Sequence, residues 1–320
     1  MSDSPGGMHY YADNKLDMRL AWSEGFAGYI SSSIKEWLKT YNSGVLSTPT
    51  DSKSTQYVDT DGTTATYVDI VNSTGGASDP FVYSTNEISI SKVLWETEQE
   101  IGVDNLIAII NSYMKDTRQN DTDVRVNSEL FWNGLLSAQN LSSTQLSTYE
   151  SIFTERKINY LLDTKESDES VTTYSSYDCT TTASGNQCFS ETRNLYFDPR
   201  YNTEDRDYIQ VSMDMAKTYI IETIDLRNGA DTNLIIFDSA GAGINPVSGA
   251  ENDDFIYSVC GTVSFSGACL VNDGVNMRSK ITFTPTYTGI YFIEIKSTPD
   301  PEPAPFAGKY GDYTHVVSVQ

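Results

Sequence analysis

Histidine is nearly missing from this chain: there are two in 320 residues, His9 and His315. Neither stands in a His-Glu-x-x-His run, so the chain holds no helix that could bind a hydrolytic zinc through two histidines. A Ser-His-Asp triad would have to use one of the same two residues, and no G-x-S-x-G elbow is present to carry the serine. A phosphate-cradling glycine loop is also lacking, since Gly241-Ala242-Gly243 reads as a hairpin turn and not as the start of a helix. No apolar run approaches the roughly 20 residues that a membrane span needs. The opening, Met1-Ser2-Asp3-Ser4-Pro5-Gly6-Gly7, has no apolar core of a signal peptide. It reads like the interior of a longer chain, and a truncated or processed fragment is expected. Basic residues are scarce as well, with 21 Lys and Arg against 44 Asp and Glu and a net charge of -23. Such a field repels nucleic acid and anionic lipid and favours cationic partners and divalent metals. Among so many acids, no pair stands out as the two carboxylates of a glycosidase.

What is present is enough to fold. Hydrophobic residues make up 38% of the chain, with 21 Tyr, 12 Phe and 4 Trp, which is not a disordered composition. The length suits two domains, each with its own core. The four cysteines fall as Cys179 and Cys188, then Cys260 and Cys269, in Gly, Ser and Thr-rich sequence. Their even count and local spacing predict two small disulfide-closed loops, which persist outside the cytosol. Four free thiols are the alternative. Neither pair has the C-x2-4-C spacing of a zinc site.

Residues 1–165 read as mainly helical. Leu20, Phe26, Ile30, Ile34, Trp37 and Leu38 recur near the spacing of one helix face, predicting a helix over 16–38. Residues 43–80 are rich in Ser, Thr, Asp and Gly, and the weak alternation of Thr63 to Ile70 predicts a loop or hairpin. Helices are expected at 89–100, 104–113, 126–137 and 143–162, the last two opened by acceptable N-caps in the runs Arg125-Val126-Asn127-Ser128-Glu129 and Ser142-Ser143-Thr144-Gln145. Residues 166–200 are polar, show no clear period and read as a linker carrying the first cysteine pair. From 201 to 320 the period becomes two. Strands are predicted at 207–213, 218–224, 233–237, 280–284, 289–295 and 313–319, an antiparallel sandwich. The fold class expected is therefore α+β with two domains.

The strand region runs through Asp207-Tyr208-Ile209, Thr218-Tyr219-Ile220-Ile221-Glu222-Thr223, Gly229-Ala230-Asp231-Thr232-Asn233-Leu234-Ile235-Ile236-Phe237-Asp238 and Glu251-Asn252-Asp253-Asp254. It ends on Arg278-Ser279-Lys280-Ile281-Thr282-Phe283-Thr284-Pro285 and Thr288-Gly289-Ile290-Tyr291-Phe292-Ile293-Glu294-Ile295. Those blocks, in that order, resemble the bacterial pre-peptidase C-terminal domain, a jelly-roll-like sandwich that secreted peptidases carry as an appendage. The insert holding Cys260 and Cys269 departs from that pattern. Asp231, Asp253 and Asp254 are candidate calcium ligands, because Ca2+ takes about six to eight oxygens from loop carboxylates and amides. The same residues also suit turns that they cap with their own side chains.

A second resemblance lies in Asp17-Met18-Arg19-Leu20-Ala21-Trp22-Ser23-Glu24-Gly25-Phe26-Ala27-Gly28-Tyr29. It is similar to the helix that supplies the third zinc ligand in gluzincin metallopeptidases, and only Glu24 carries over, as the would-be ligand. The Ser89–Trp95 run resembles a buried helix late in the same catalytic domains. The resemblance implies zinc in a full-length parent and a protein or peptide substrate. Glu24 and His9 supply at most two ligands, so the chain as it stands is expected not to hydrolyse peptides. His9, after Gly6-Gly7-Met8, suits either a substrate cleft or a surface loop, and His315 reads as structural. The expectation is the C-terminal portion of a secreted bacterial metallopeptidase with an accessory sandwich, non-catalytic here. The alternative is a secreted or cell-surface binding protein on a peptidase-like scaffold, whose ligand lies on an extracellular matrix or surface.

Overall fold

The computed structural model describes residues 18–41, 56–60, 65–70, 79–120, 126–138, 142–161, 172, 174–196, 205–239, 245–252, 278–297 and 311–320. The chain divides into two compact units, with the boundary between Ile158 and Asn159.

In the first unit, helix α1 (Met18–Tyr41) is followed by a two-stranded hairpin of β1 (Gln56–Thr60) and β2 (Ala65–Asp69). Helix α2 (Glu87–Ile101) opens on Asn86, whose side chain accepts from Ser89 N at 2.8 Å. Gly102, at φ 79, closes it. Helix α3 (Val103–Ala108) then runs through a π-helical turn at Ile109–Met114 into α4 (Lys115–Asn120). Helix α5 (Ser128–Ala138) is capped by Asn127, which accepts from Leu130 N at 3.0 Å. Helix α6 (Ser143–Thr154) begins with a capping box between Ser142 and Gln145. It stops well before the predicted 162. Lys157 takes φ 55, and Ile158 N returns to Phe153 O at 3.0 Å, a helix-ending bond across six residues.

Gly25 sets the α1–α2 crossing, because a Cβ there would lie 2.6 Å from Glu87 O and 2.7 Å from Ile90 Cβ. Ser91 Oγ donates to Gly25 O at 2.7 Å across the same contact. The predicted apolar stripe of α1 is only half used. Leu20 is buried and Phe26 and Ile30 are half-buried, whereas Ile34 and Trp37 are 53% and 56% exposed.

The second unit is a sandwich. One sheet has the order β3-β5-β10-β7-β8 and the other β4-β11-β6-β9. The strands are β3 (Ser175–Asp178), β4 (Gln187–Leu195), β5 (Arg206–Met213), β6 (Tyr219–Ile224), β7 (Thr232–Asp238), β8 (Asn245–Asn252), β9 (Lys280–Phe283), β10 (Gly289–Ser297) and β11 (Gly311–Val319). Except between β7 and β8, successive strands switch sheets, as in a jelly-roll. All pairings are antiparallel save β3 with β5. Odd-numbered positions of β5, β6, β10 and β11 face inward, where Ile209, Val211, Met213, Tyr219, Ile221, Tyr291, Ile293, Ile295 and Val317 form the core. Gly311 lets β11 start against a tight turn, since a Cβ there would meet Arg227 O at 2.2 Å.

Within the stretch 166–200 read as a linker, the described residues 174–196 belong to the sandwich. They supply both β3 and β4, an edge strand of each sheet, and the Cys179–Cys188 disulfide ties the segment just after β3 to β4. The sequence hid them because the inward residues of β4 include Glu191 and Arg193, which break the apolar half of the alternation. Strand β8 was equally unmarked, being a largely exposed edge with Pro246 and Gly249 inside it.

Candidate functional site

Buried chemistry gathers where the two edge strands β3 and β4 face each other. The alternation of β4 sends Arg193 inward, and its guanidinium is fully enclosed. Nη1 donates to Asp207 Oδ1 on β5 at 2.7 Å, and Nη2 donates to Ser175 Oγ at 2.8 Å and Glu191 Oε2 at 3.1 Å. The Tyr313 phenol on β11 donates to the other oxygen of Asp207. The Tyr177 phenol on β3 donates to Glu191 Oε2 at 2.6 Å. Four strands, two from each sheet, therefore meet on one guanidinium and two carboxylates.

His315 completes this cluster. It stands on β11 in register with Glu191 and with Thr223 of β6, and is 1% exposed. The Phe189 ring meets it edge-on at 5.3 Å and Tyr313 lies at 6.2 Å. Neither ring nitrogen has a hydrogen-bond partner among the described residues. Burial, and then the Arg193 charge, lower the imidazole to about 3. The same burial raises Tyr177 to about 12, helped by its bond to Glu191. Burial and the Asp207 charge push Tyr313 well above the ordinary phenol range. Each shift follows from placing the ionised form in a dry interior.

Beside the cluster, Tyr177 stacks on Phe189 at 3.8 Å, next to the disulfide. The loop between the two cysteines is held from below by Lys217, whose ammonium donates to Thr180 O at 2.5 Å and Thr182 O at 2.7 Å. Its charge also helps hold Asp178 and Asp214 below the usual carboxylate range, although their hydrogen bonds to Thr180 and Ala216 contribute most.

The first unit has its own ionic core. Lys92 donates to Asp79 Oδ2 at 2.8 Å, Arg156 lies 3.7 Å from the same oxygen, and Arg156 also pairs with Glu96. Burial depresses Lys92, with Asp79 opposing, and raises Glu96, with Arg156 opposing. These four residues neutralise one another, which is the ordinary condition for charge inside a fold.

Of the residues singled out in the sequence, Glu24, Asp231, His315, Cys179 and Cys188 are among the described residues. Glu24 is half-buried on α1, one residue before the Gly25 crossing. Among the described residues, no three His, Cys, Asp or Glu side chains gather to hold a metal ion. The described residues therefore do not fit the catalytic zinc that the gluzincin resemblance implies. Asp231 is buried just before β7. His9, Asp253, Asp254, Cys260 and Cys269 lie outside the described residues, while Cys179 and Cys188 form the expected disulfide. The Arg193 cluster was not foreseen, because its residues come largely from the stretch read as linker. The inward series Phe189, Glu191, Arg193, Leu195 was the available signal.

No family model and no curated protein matches this chain. Solved structures similar to it include the pre-peptidase C-terminal domain of collagenase from Bacillus anthracis, at 12% identity and a TM-score of 0.26, covering 46% of this chain and 96% of that one. CorA, a surface-associated copper-binding protein of Methylomicrobium album BG8, matches at 14% identity and a TM-score of 0.26, over 46% and 98%. PliG of Aeromonas hydrophila, a periplasmic lysozyme inhibitor, matches at 14% and 0.22, over 46% and 97%. At such identities and scores, none of them lends this chain an activity or a ligand.

Proposed function

We propose that this chain is a non-catalytic portion of an exported peptidase-related protein, in which the sandwich is an accessory binding module of the pre-peptidase C-terminal type. One observation carries the reading. The sequence blocks that resemble that domain fall in order on β5, β6, β7, the end of β8, β9 and β10 of two facing sheets. The Cys179–Cys188 bridge suits an oxidising, exported setting. Glu24 is the one residue of the helical unit that the gluzincin resemblance offers to zinc, fewer than the three protein ligands a hydrolytic zinc needs. The ligand class that follows is a protein surface or peptide, bound outside the cell and not cleaved by this chain.

The test is to incubate the full chain with casein, gelatin and short fluorogenic peptides, with zinc and with chelator, and to co-sediment it with insoluble protein polymers such as collagen fibrils. Binding without cleavage is expected. Zinc-dependent, chelator-sensitive turnover by pure protein overturns the non-catalytic reading. Absence of binding to every protein polymer tried overturns the accessory-module reading.

A further inference from the structure

We propose that His315 is an acid trigger built into the joint between the two sheets, and that a proton on its ring releases the β4 edge together with the disulfide-closed loop. Among the described residues β4 is an edge strand, hydrogen-bonded to β11 alone, and His315 sits on β11 directly opposite Glu191. A neutral imidazole suits the place, with aromatic edges from Phe189 and Tyr313 beside it. An imidazolium does not, because it brings two N–H donors to a position where neither nitrogen has an acceptor among the described residues.

Burial opposes the proton most, the Arg193 charge opposes it next, and the Glu191 carboxylate only partly offsets them. From β4, Arg193 faces it with a buried guanidinium, and Glu191 faces it with a carboxylate already taken by Tyr177 and Arg193. From β5, Asp207 is engaged by Arg193 and Tyr313. From β6, the residue in register is Thr223, while Glu222 is paired with Lys280 at 3.2 Å. On β11 itself Tyr313 is neutral, and Asp312 is engaged by Asn159 at 3.0 Å. A proton on His315 thus adds a second buried cation beside the guanidinium that links β4 to β3 and β5. Opening the β4 edge hydrates both cations at once. The depressed imidazole agrees in direction.

The sign of the effect is fixed. The opened strand holds a histidine of ordinary affinity, near 6.5, and the closed one binds a proton only near 3, so opening takes up a proton between those values. Hydrogen–deuterium exchange on the full chain reads it directly. After correction for intrinsic rates, opening of 187–195 and 311–319 should rise about 15-fold between about pH 6.5 and pH 5, the slope approaching one decade per pH unit below about pH 6. His315→Phe and His315→Gln should flatten that dependence. With only two histidines in the chain, proton NMR assigns the imidazole resonances once His9→Gln removes one. In the folded protein His315 should not titrate above about pH 5. A His315 resonance titrating near 6.5 without strand opening overturns the proposal, as does an unchanged exchange profile in either variant. Where a variant fails to fold, the wild-type titration still decides.

Discussion

Arg193 and Asp207 bind one sheet of the sandwich to the other, through a guanidinium and a carboxylate 2.7 Å apart that are 0% and 3% exposed. They come from strands in different sheets, so this pair acts on sheet docking and not on strand pairing. Either residue alone would be an uncompensated buried charge. Arg193→Ala or Asp207→Ala should therefore cost about 3–5 kcal/mol in denaturant unfolding. The double substitution Arg193→Met/Asp207→Leu should recover most of that loss, because a fitted apolar pair replaces a buried ion pair at little net cost. Additive losses in the double variant would show that the pair is not the unit of stability.

Two kinds of residue were legible in the sequence, and a third was not. Strands such as β5, with Asp207, Ile209, Val211 and Met213 inward, alternate cleanly, and all but Asp207 of those inward residues are apolar. Helix α2 buries Ile88, Ile90, Val93, Leu94 and Trp95, the apolar residues that marked it. Strand β4 alternates just as regularly, but its inward set mixes Phe189 and Leu195 with Glu191 and Arg193. Hydropathy periodicity assumes that inside means apolar, and a satisfied ionic core violates that assumption. The end of α6 was hidden for another reason. Lys157 adopts a left-handed φ of 55 without the glycine that normally announces such a position. The candidate site was illegible because its members, from Ser175 to Tyr313, are brought together only by the packing of four strands from two sheets.

Alkaline pH should destabilise the sandwich through its tyrosines. Tyr177 and Tyr208 are raised to about 12 by burial and by their bonds to Glu191 and Glu294. Tyr313 lies higher still. A raised folded-state value means that the contribution is fully present below the ordinary phenol range, near 10, and is lost as pH rises through about 12. Urea midpoints should be flat from about pH 8 to 9.5 and fall above 10. Tyr177→Phe should soften the fall. A midpoint that holds to pH 12 would mean these phenols ionise without opening the fold.

The loop between Cys179 and Cys188 has two supports, the disulfide and the Lys217 ammonium. Cys179→Ala/Cys188→Ala should cost about 2–3 kcal/mol, mainly by freeing the unfolded chain. Lys217→Met should cost about 1 kcal/mol, since a partly exposed ammonium on two carbonyls is a modest charge-assisted interaction. Thermal or urea denaturation measures both. Non-reducing peptide mapping should return Cys179 with Cys188, and on the sequence expectation Cys260 with Cys269. A cross-pairing between the two sets would refute that assignment.

The position of the domain boundary decides which fragment folds. A fragment of residues 201–320 lacks β3 and β4, and with them Arg193, Glu191, Tyr177 and the disulfide. It would leave Asp207 buried without its guanidinium and expose the flank of β11 that β4 covers. A fragment of residues 159–320 keeps all of these, together with Asn159, which donates to Asp312 at 3.0 Å. The longer fragment should therefore melt cooperatively as an isolated sandwich, and the shorter should not. Calcium is tested in the same experiment. If Asp231, Asp253 and Asp254 hold the ion, calcium should raise the melting temperature of the longer fragment and chelator should reverse it. At 100 times its Kd the ion would add about 2.7 kcal/mol. Cooperative melting of 201–320 would return 166–200 to the role of a linker. An unchanged melting temperature in calcium would remove the metal site and leave the boundary at 158 intact.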